Sequence, residues 1–276
     1  MQDFIQPIIL GLVQGLTEFL PISSSGHLVI TREVFGWADQ GALFDAVLHL
    51  ATVVAILIYF RADWLSIWAS LNPKSASHSA VQSRHLLLLL AVSTVPAIVG
   101  GFLFPQLFIE QGRGLTTIAG LMIFTGLMFI LVERIARGKK NLSKLTFFDA
   151  LSIGIAQLGA MLPGISRSGA TIITGLYIGL KREEAARYAF LLGVPALALA
   201  GGYSLFQMES GQTAVNWMFL GIGSGVSLIS SLIAITIMMR FLKNNKLYVF
   251  AGYMIAVGIA LLVFKFSHIE LPFFQL

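Results

Sequence analysis

The sequence predicts an all-α polytopic membrane protein built as an inverted-topology repeat, with six transmembrane helices and two re-entrant helical hairpins. Three observations predict it. Of 276 residues, 57% are hydrophobic and only 11% charged, with a mean hydropathy of +0.84, whereas soluble globular chains carry about 25% charged residues. Residues 11–31, GLVQGLTEFLPISSSGHLVIT, return 143 positions later as residues 154–174, GIAQLGAMLPGISRSGATIIT, with eight identities in 21 ungapped positions. Finally, 14 of the 18 Lys and Arg residues fall in loops that share one face once the spans are drawn.

The elements follow in chain order. Residues 4–35 have room for two half-length helices but are interrupted by Pro21, three serines and Gly26. Broken backbone at membrane depth is tolerated only where it is buried in protein or lines a wet cavity, so this region is predicted to be a hairpin rather than a span. Three spans are expected at 43–60, 86–104 and 115–133, each long and uncharged enough to cross a hydrocarbon core of about 30 Å. The first keeps Asp45 and His49 without being broken by them. Residues 147–180, interrupted at Pro163 and Gly164, repeat the hairpin, and spans at 188–206, 216–239 and 248–266 complete the chain. The last span of each half repeats too: AGLMIFTG at 119–126 matches AGYMIAVG at 251–258 in five of eight positions.

If each hairpin leaves on the side it entered, the loops at 61–85, 134–146, 181–187 and 240–247 lie together and hold those 14 basic residues. The opposite loops, at 36–42, 105–114, 207–215 and 267–276, hold only Arg113. The positive-inside rule makes the first face cytoplasmic. An odd number of crossings then separates the halves, about 1–140 and 141–276 of a single membrane domain. Proteins of this kind place their sites near the midplane, where the repeats meet. The tips, Ser23 to His27 and Ser166 to Thr171, are expected to face each other there.

Composition also excludes. The chain has no cysteine, so disulfides and thiolate chemistry are ruled out. Its formal charge of +5 reflects basic loops of a polytopic membrane protein rather than a nucleic-acid footprint. The opening MQDFIQPIILGL lacks a basic n-region and a small-residue cleavage site, so no cleaved signal peptide is expected.

The repeat copies differ where chemistry would lie. The first carries Glu18 and His27; the second has Met161 and Ala170 there and sets Arg167 opposite Ser24. Gln14 and Glu18 are four apart and share a helix face. A carboxylate inside the membrane reads first as functional: a general base, or with Gln14 a ligand for a hard cation. The plain alternative is a structural pair with Arg167. In PISSSGH, capping and turning require one Ser and one Gly. The remaining hydroxyls of Ser23, Ser24 and Ser25 and the His27 imidazole are spare donors and nucleophiles, as a phosphate site needs. PGISRSG opens a helix near Ser168 whose first amides suit an anion. Arg167 adds a planar fork that grips phosphate oxygens, and Ser166, Ser168, Gly169 and Thr171 can complete the cradle beside Gly26. Asp45 and His49 either border the cavity or make an interhelical bond. His78 and His85 read as solvated loop residues, and Glu183, Glu184 and Arg187 as a solvated helix start.

At these residues the chain resembles the undecaprenyl-diphosphate phosphatase family of the BacA/UppP type. The (E/Q)xxxE pattern corresponds to Gln14 to Glu18, PxSSxGH to Pro21 to His27, and PGxSRSGxT to Pro163 to Thr171. Gln14 stands where many members carry Glu, and Ser25 where Thr is common. The resemblance implies a lipid substrate, removal of one phosphate from undecaprenyl diphosphate, recycling of the carrier for peptidoglycan synthesis, bacitracin resistance and a divalent cation, Mg²⁺ or Ca²⁺. It also implies a bacterial cytoplasmic membrane location, with the site open to the extracytoplasmic side. The expected partners are the polyprenyl diphosphate and the bilayer, with a homodimer open as an assembly and no nucleic acid. Three routes stay open: attack by Ser24, attack by His27, or a water activated by Glu18 and His27; Ser24 assisted by Glu18 and His27 is preferred. The rival function is a polyprenyl-phosphate transporter or flippase using the same residues, since broken helices in inverted repeats also build transporters.

Overall fold

Apolar runs with no breaker become helices, and Pro, Gly and Ser clusters end them. The computed structural model describes residues 2–72, 74, 77–103, 114–206 and 216–267. The described residues form eleven α-helices. They are α1 (Gln2–Phe19), α2 (Ser24–Phe35), α3 (Ala42–Tyr59), α4 (Arg61–Ser70), α5 (His78–Leu103), α6 (Leu115–Ile135), α7 (Phe147–Gly159), α8 (Arg167–Tyr177), α9 (Arg182–Phe206), α10 (Trp217–Asn244) and α11 (Tyr248–Phe266).

Six of these, α3, α5, α6, α9, α10 and α11, are long and apolar enough to cross a membrane, which makes this an all-α multi-pass membrane protein. They match the six expected spans, although α5, α9 and α10 run several residues further at one end. Nothing in those extensions breaks a helix, and their polar residues have left the apolar stretch. The expected loop at 61–85 begins instead with α4, which leaves Leu65, Trp68 and Leu71 exposed, a composition suited to the membrane–water interface. The loop residues 105–113, 207–215 and 268–276, Arg113 among them, lie outside the described residues.

The four basic loops meet at one end of the molecule. Lys181 N–H donates to the Lys140 carbonyl, Arg187 pairs with Asp63, and His85 Nε2 lies 3.0 Å from the Leu145 carbonyl. The buried Glu133 accepts from Arg182 and, at 2.9 Å, from the Leu247 amide, tying α6, α9 and the α10–α11 turn together. This arrangement is compatible with two re-entrant hairpins.

The packing crosses between halves. α1 lies along α10 and α7 along α5, so each half's broken pair rests on a span from the other, while α3 pairs with α9 and α6 with α11. In the last pair the repeated octapeptides face each other reciprocally. A Cβ on Gly126 would sit 2.8 Å from the Ala251 carbonyl oxygen, and one on Gly258 would sit 2.7 Å from that of Ala119. Only glycine permits that approach. Reciprocity of this kind is compatible with a two-fold relation between inverted halves.

Candidate active site

The site forms where the two broken pairs meet. α1 stops at Phe19, and after a turn through Pro21 the backbone passes Ser23 at φ 74°, the one non-glycine left-handed residue among the described residues. Ser23 caps α2, its Oγ accepting from the Gly26 amide at 3.4 Å. In the second pair, Pro163 and Gly164, with φ 101°, turn the chain after α7. Ser166 caps α8 by accepting from the Gly169 amide at 3.0 Å. A Cβ on Gly164 would lie 2.7 Å from the Ile118 carbonyl oxygen. The tips touch directly, since the Gly164 amide donates to Ser23 Oγ at 3.2 Å.

Glu18 is the centre. It is buried, and its two oxygens collect donors from both halves of the chain. Arg167 Nη2 donates to Oε1 at 2.6 Å. Ser24 Oγ donates to Oε2 at 2.7 Å and Gln14 Nε2 at 2.9 Å. Arg167 Nη1 reaches the Ala189 carbonyl at 3.2 Å, while its Nε is buried with no partner. Gly193 makes room for this guanidinium, because a Cβ there would come within 2.8 Å of Nη1. Phe19 and Phe190, edge to face at 5.3 Å, form part of the apolar core adjoining the site.

The other expected residues divide between local structure and cavity. Ser168 Oγ donates to the Glu18 carbonyl at 3.1 Å and lies 3.1 Å from Ser166 Oγ. Thr171 Oγ1 donates back to the Arg167 carbonyl at 2.9 Å. Ser25 lines a cavity of about 430 Å³ beside the cluster, together with Arg32, Trp37, Asp45, His49 and Pro163. His27 is not joined to Ser24 or Glu18. Its Nδ1 lies 2.8 Å from the Ser23 carbonyl and its Nε2 2.8 Å from Tyr253 Oη.

Asp45 and His49 both border the cavity, and of the two Asp45 makes an interhelical hydrogen bond. Asp45 takes the Arg32 guanidinium at 2.5 and 3.2 Å. His49 Nδ1 bonds to the Asp45 carbonyl at 2.7 Å, and its Nε2 stands 3.6 Å from Glu18 Oε2 on the cavity side. Gly193 and Tyr253 escaped the sequence reading. Gly193 lies in an apolar span with no motif around it. Tyr253 stands where the matching octapeptide has Leu121, and that difference was the only available signal.

What fold and site define together is a class: helical intramembrane proteins in which a serine, a carboxylate and a guanidinium converge where two broken helix pairs meet. Residues 7–260 match the family described as bacitracin resistance protein BacA. An undecaprenyl-diphosphatase of Myxococcus xanthus is 41% identical over 263 residues, covering 95% of this chain and 89% of its own length. One of Teredinibacter turnerae is 36% identical over 95% of this chain and 99% of its own. One of Corynebacterium glutamicum is 39% identical over 94% and 90%. The chain belongs to the BacA family.

Proposed function

We propose that the chain is an integral membrane phosphatase that hydrolyses undecaprenyl diphosphate to undecaprenyl phosphate and inorganic phosphate, recycling the lipid carrier for cell-wall synthesis and so conferring bacitracin resistance. The observation that carries the reading is the bond from Ser24 Oγ to a carboxylate that also holds Arg167. A binding site alone needs no nucleophile hydrogen-bonded to a base.

In this mechanism the diphosphate enters beside the cluster and draws Arg167 toward its oxygens, using donors such as the unpartnered Nε. Loss of the guanidinium leaves Glu18 a stronger base. Glu18 takes the Ser24 proton, Oγ attacks the terminal phosphorus, and the bond to the bridging oxygen breaks, releasing undecaprenyl phosphate. A water then attacks the phosphoserine, inorganic phosphate departs, and the proton on Glu18 returns to Ser24. Arg167 and the N-terminal end of α8 neutralise the charge that develops on the phosphoryl oxygens, the main contribution an enzyme makes to phosphoryl transfer.

A divalent cation, Mg²⁺ or Ca²⁺, belongs to the proposal in a limited form. Gln14 Oε1 is buried without a partner, as an oxygen awaiting a hard cation would be, but both oxygens of Glu18 are already engaged, one of them by a guanidinium. A cation of this type takes six or more oxygens. Gln14 and Glu18 therefore fit one whose other ligands are diphosphate oxygens and water. When bound, it would neutralise phosphate charge. The cavity beside Ser25 and His49 lies toward the 36–42 loop, which the positive-inside rule makes extracytoplasmic, and this is the side from which substrate and water are proposed to enter a bacterial inner-membrane enzyme.

The test is phosphate release from undecaprenyl diphosphate by purified protein, wild type beside Arg167→Ala and Glu18→Gln, each with and without EDTA. Turnover by wild type and its loss in both variants, with folding intact, is expected. A wild type that binds the lipid but releases no phosphate with any divalent cation overturns the phosphatase reading in favour of a carrier.

A further inference from the structure

His27 keeps both ring nitrogens engaged away from the Glu18 cluster, so its bonds must serve something else. We propose that Tyr253, on the last helix, is a positioning residue for the site: it holds His27 and, through it, the strained turn that presents Ser24. The inference rests on the phosphatase reading above.

The chain of restraints can be followed atom by atom. His27 Nδ1 is 2.8 Å from the Ser23 carbonyl oxygen. A carbonyl only accepts, so Nδ1 carries the proton and Nε2 of the neutral ring is left with a lone pair. Tyr253 Oη, 2.8 Å from Nε2, is then the donor. The two rings also stack, with centroids 5.6 Å apart and planes inclined by 12°. Tyr253 therefore fixes the imidazole by a hydrogen bond and by its face together.

What the imidazole holds is Ser23. At φ 74° and ψ 92° this residue occupies backbone space that a residue with a Cβ enters only when its surroundings over-determine it. Its carbonyl accepts from the His27 amide at 3.1 Å and from Nδ1 at 2.8 Å, and its hydroxyl accepts from the Gly26 and Gly164 amides. Nδ1 is one of the two donors on that carbonyl, and its position depends on Tyr253. The next residue is Ser24, whose Oγ must stay on Glu18. A displacement of about 1 Å at a reacting atom costs on the order of 10²-fold in rate. Tyr253 is partly exposed, yet its hydroxyl is turned inward onto His27, an orientation that packing of the ring alone would not require.

Tyr253→Phe keeps the ring and removes the donor. Its kcat for undecaprenyl diphosphate is expected to fall roughly tenfold, with KM and thermal midpoint unchanged. His27→Asn supplies a second arm, because its amide N–H₂ can stand in for Nδ1 toward Ser23 but offers nothing at the Nε2 position. In that background Tyr253→Phe is expected to have no further effect. The third arm does not use turnover: in histidine-¹⁵N-labelled protein, the His27 Nε2 resonance is expected to move on Tyr253→Phe. Wild-type kcat in Tyr253→Phe, an equal loss in both backgrounds, or an unmoved resonance each overturns the proposal. If the wild type releases no phosphate at all, it is the phosphatase reading that fails, and the resonance still decides whether the Tyr253 hydroxyl engages His27.

Discussion

At the residue scale, one carboxylate receives two neutral donors and one cation, and the serine and the guanidinium have distinct expected losses. Ser24→Ala removes the attacking oxygen, so neither phosphate release nor a ³²P-labelled phosphoserine is expected from labelled substrate. A label trapped on any other residue would reassign the nucleophile. Arg167→Lys keeps the charge but loses the fork that spans Glu18 and the Ala189 carbonyl, so kcat is expected to fall roughly 10²-fold, with Arg167→Ala worse. His49 is the imidazole between Glu18 and the cavity. The sequence made Glu18, Ser24 and Arg167 legible because polar groups at membrane depth require partners. It could not show that Ser24 bonds to Glu18 while His27 bonds to Tyr253, since the first depends on how the turn at Pro21 sets α2 against α1 and the second on a helix 226 positions away.

At the element scale, the two tips are rigid turns capped by their own serines. Gly164→Ala would force a Cβ into left-handed backbone and onto the Ile118 carbonyl. A loss of about 1–3 kcal/mol is expected, visible as a lowered thermal midpoint together with lost activity, because the Gly164 amide also holds Ser23. Ser166→Ala removes the α8 cap at a cost of about 1 kcal/mol and should leave more activity than Arg167→Ala. The sequence indicated a serine cap in the first tip and a helix opening near Ser168 in the second; the structure puts the caps at Ser23 and Ser166. α4 was not, because a ten-residue helix of mixed polarity carries no periodic signal.

At the scale of the whole molecule, the basic end is tied by a buried carboxylate and the two halves interlock. Glu133→Ala leaves Arg182 and the Leu247 amide without their acceptor. It is expected to destabilise the detergent-solubilised protein by on the order of 2 kcal/mol, with kcat preserved in the fraction that remains folded. The absence of cysteine makes topology directly testable. A single cysteine at Asn141 is expected to resist a membrane-impermeant maleimide in intact cells, and one at Gln40 to react. The reverse pattern would invert the proposed orientation and move the cavity to the cytoplasmic side.

The sequence by itself determined the membrane class, the six spans, the basic end and the two broken motifs, because hydropathy, charge placement and helix breakers act over a few neighbouring residues and can be read locally. Only the tertiary structure decided which donors reach Glu18, that Gly193 leaves space for Arg167, and that Tyr253 closes on His27. The physical reason is that Arg167 reaches Glu18 across 149 positions and Tyr253 reaches His27 across 226, and their geometry exists only after α1 has packed on α10 and α7 on α5.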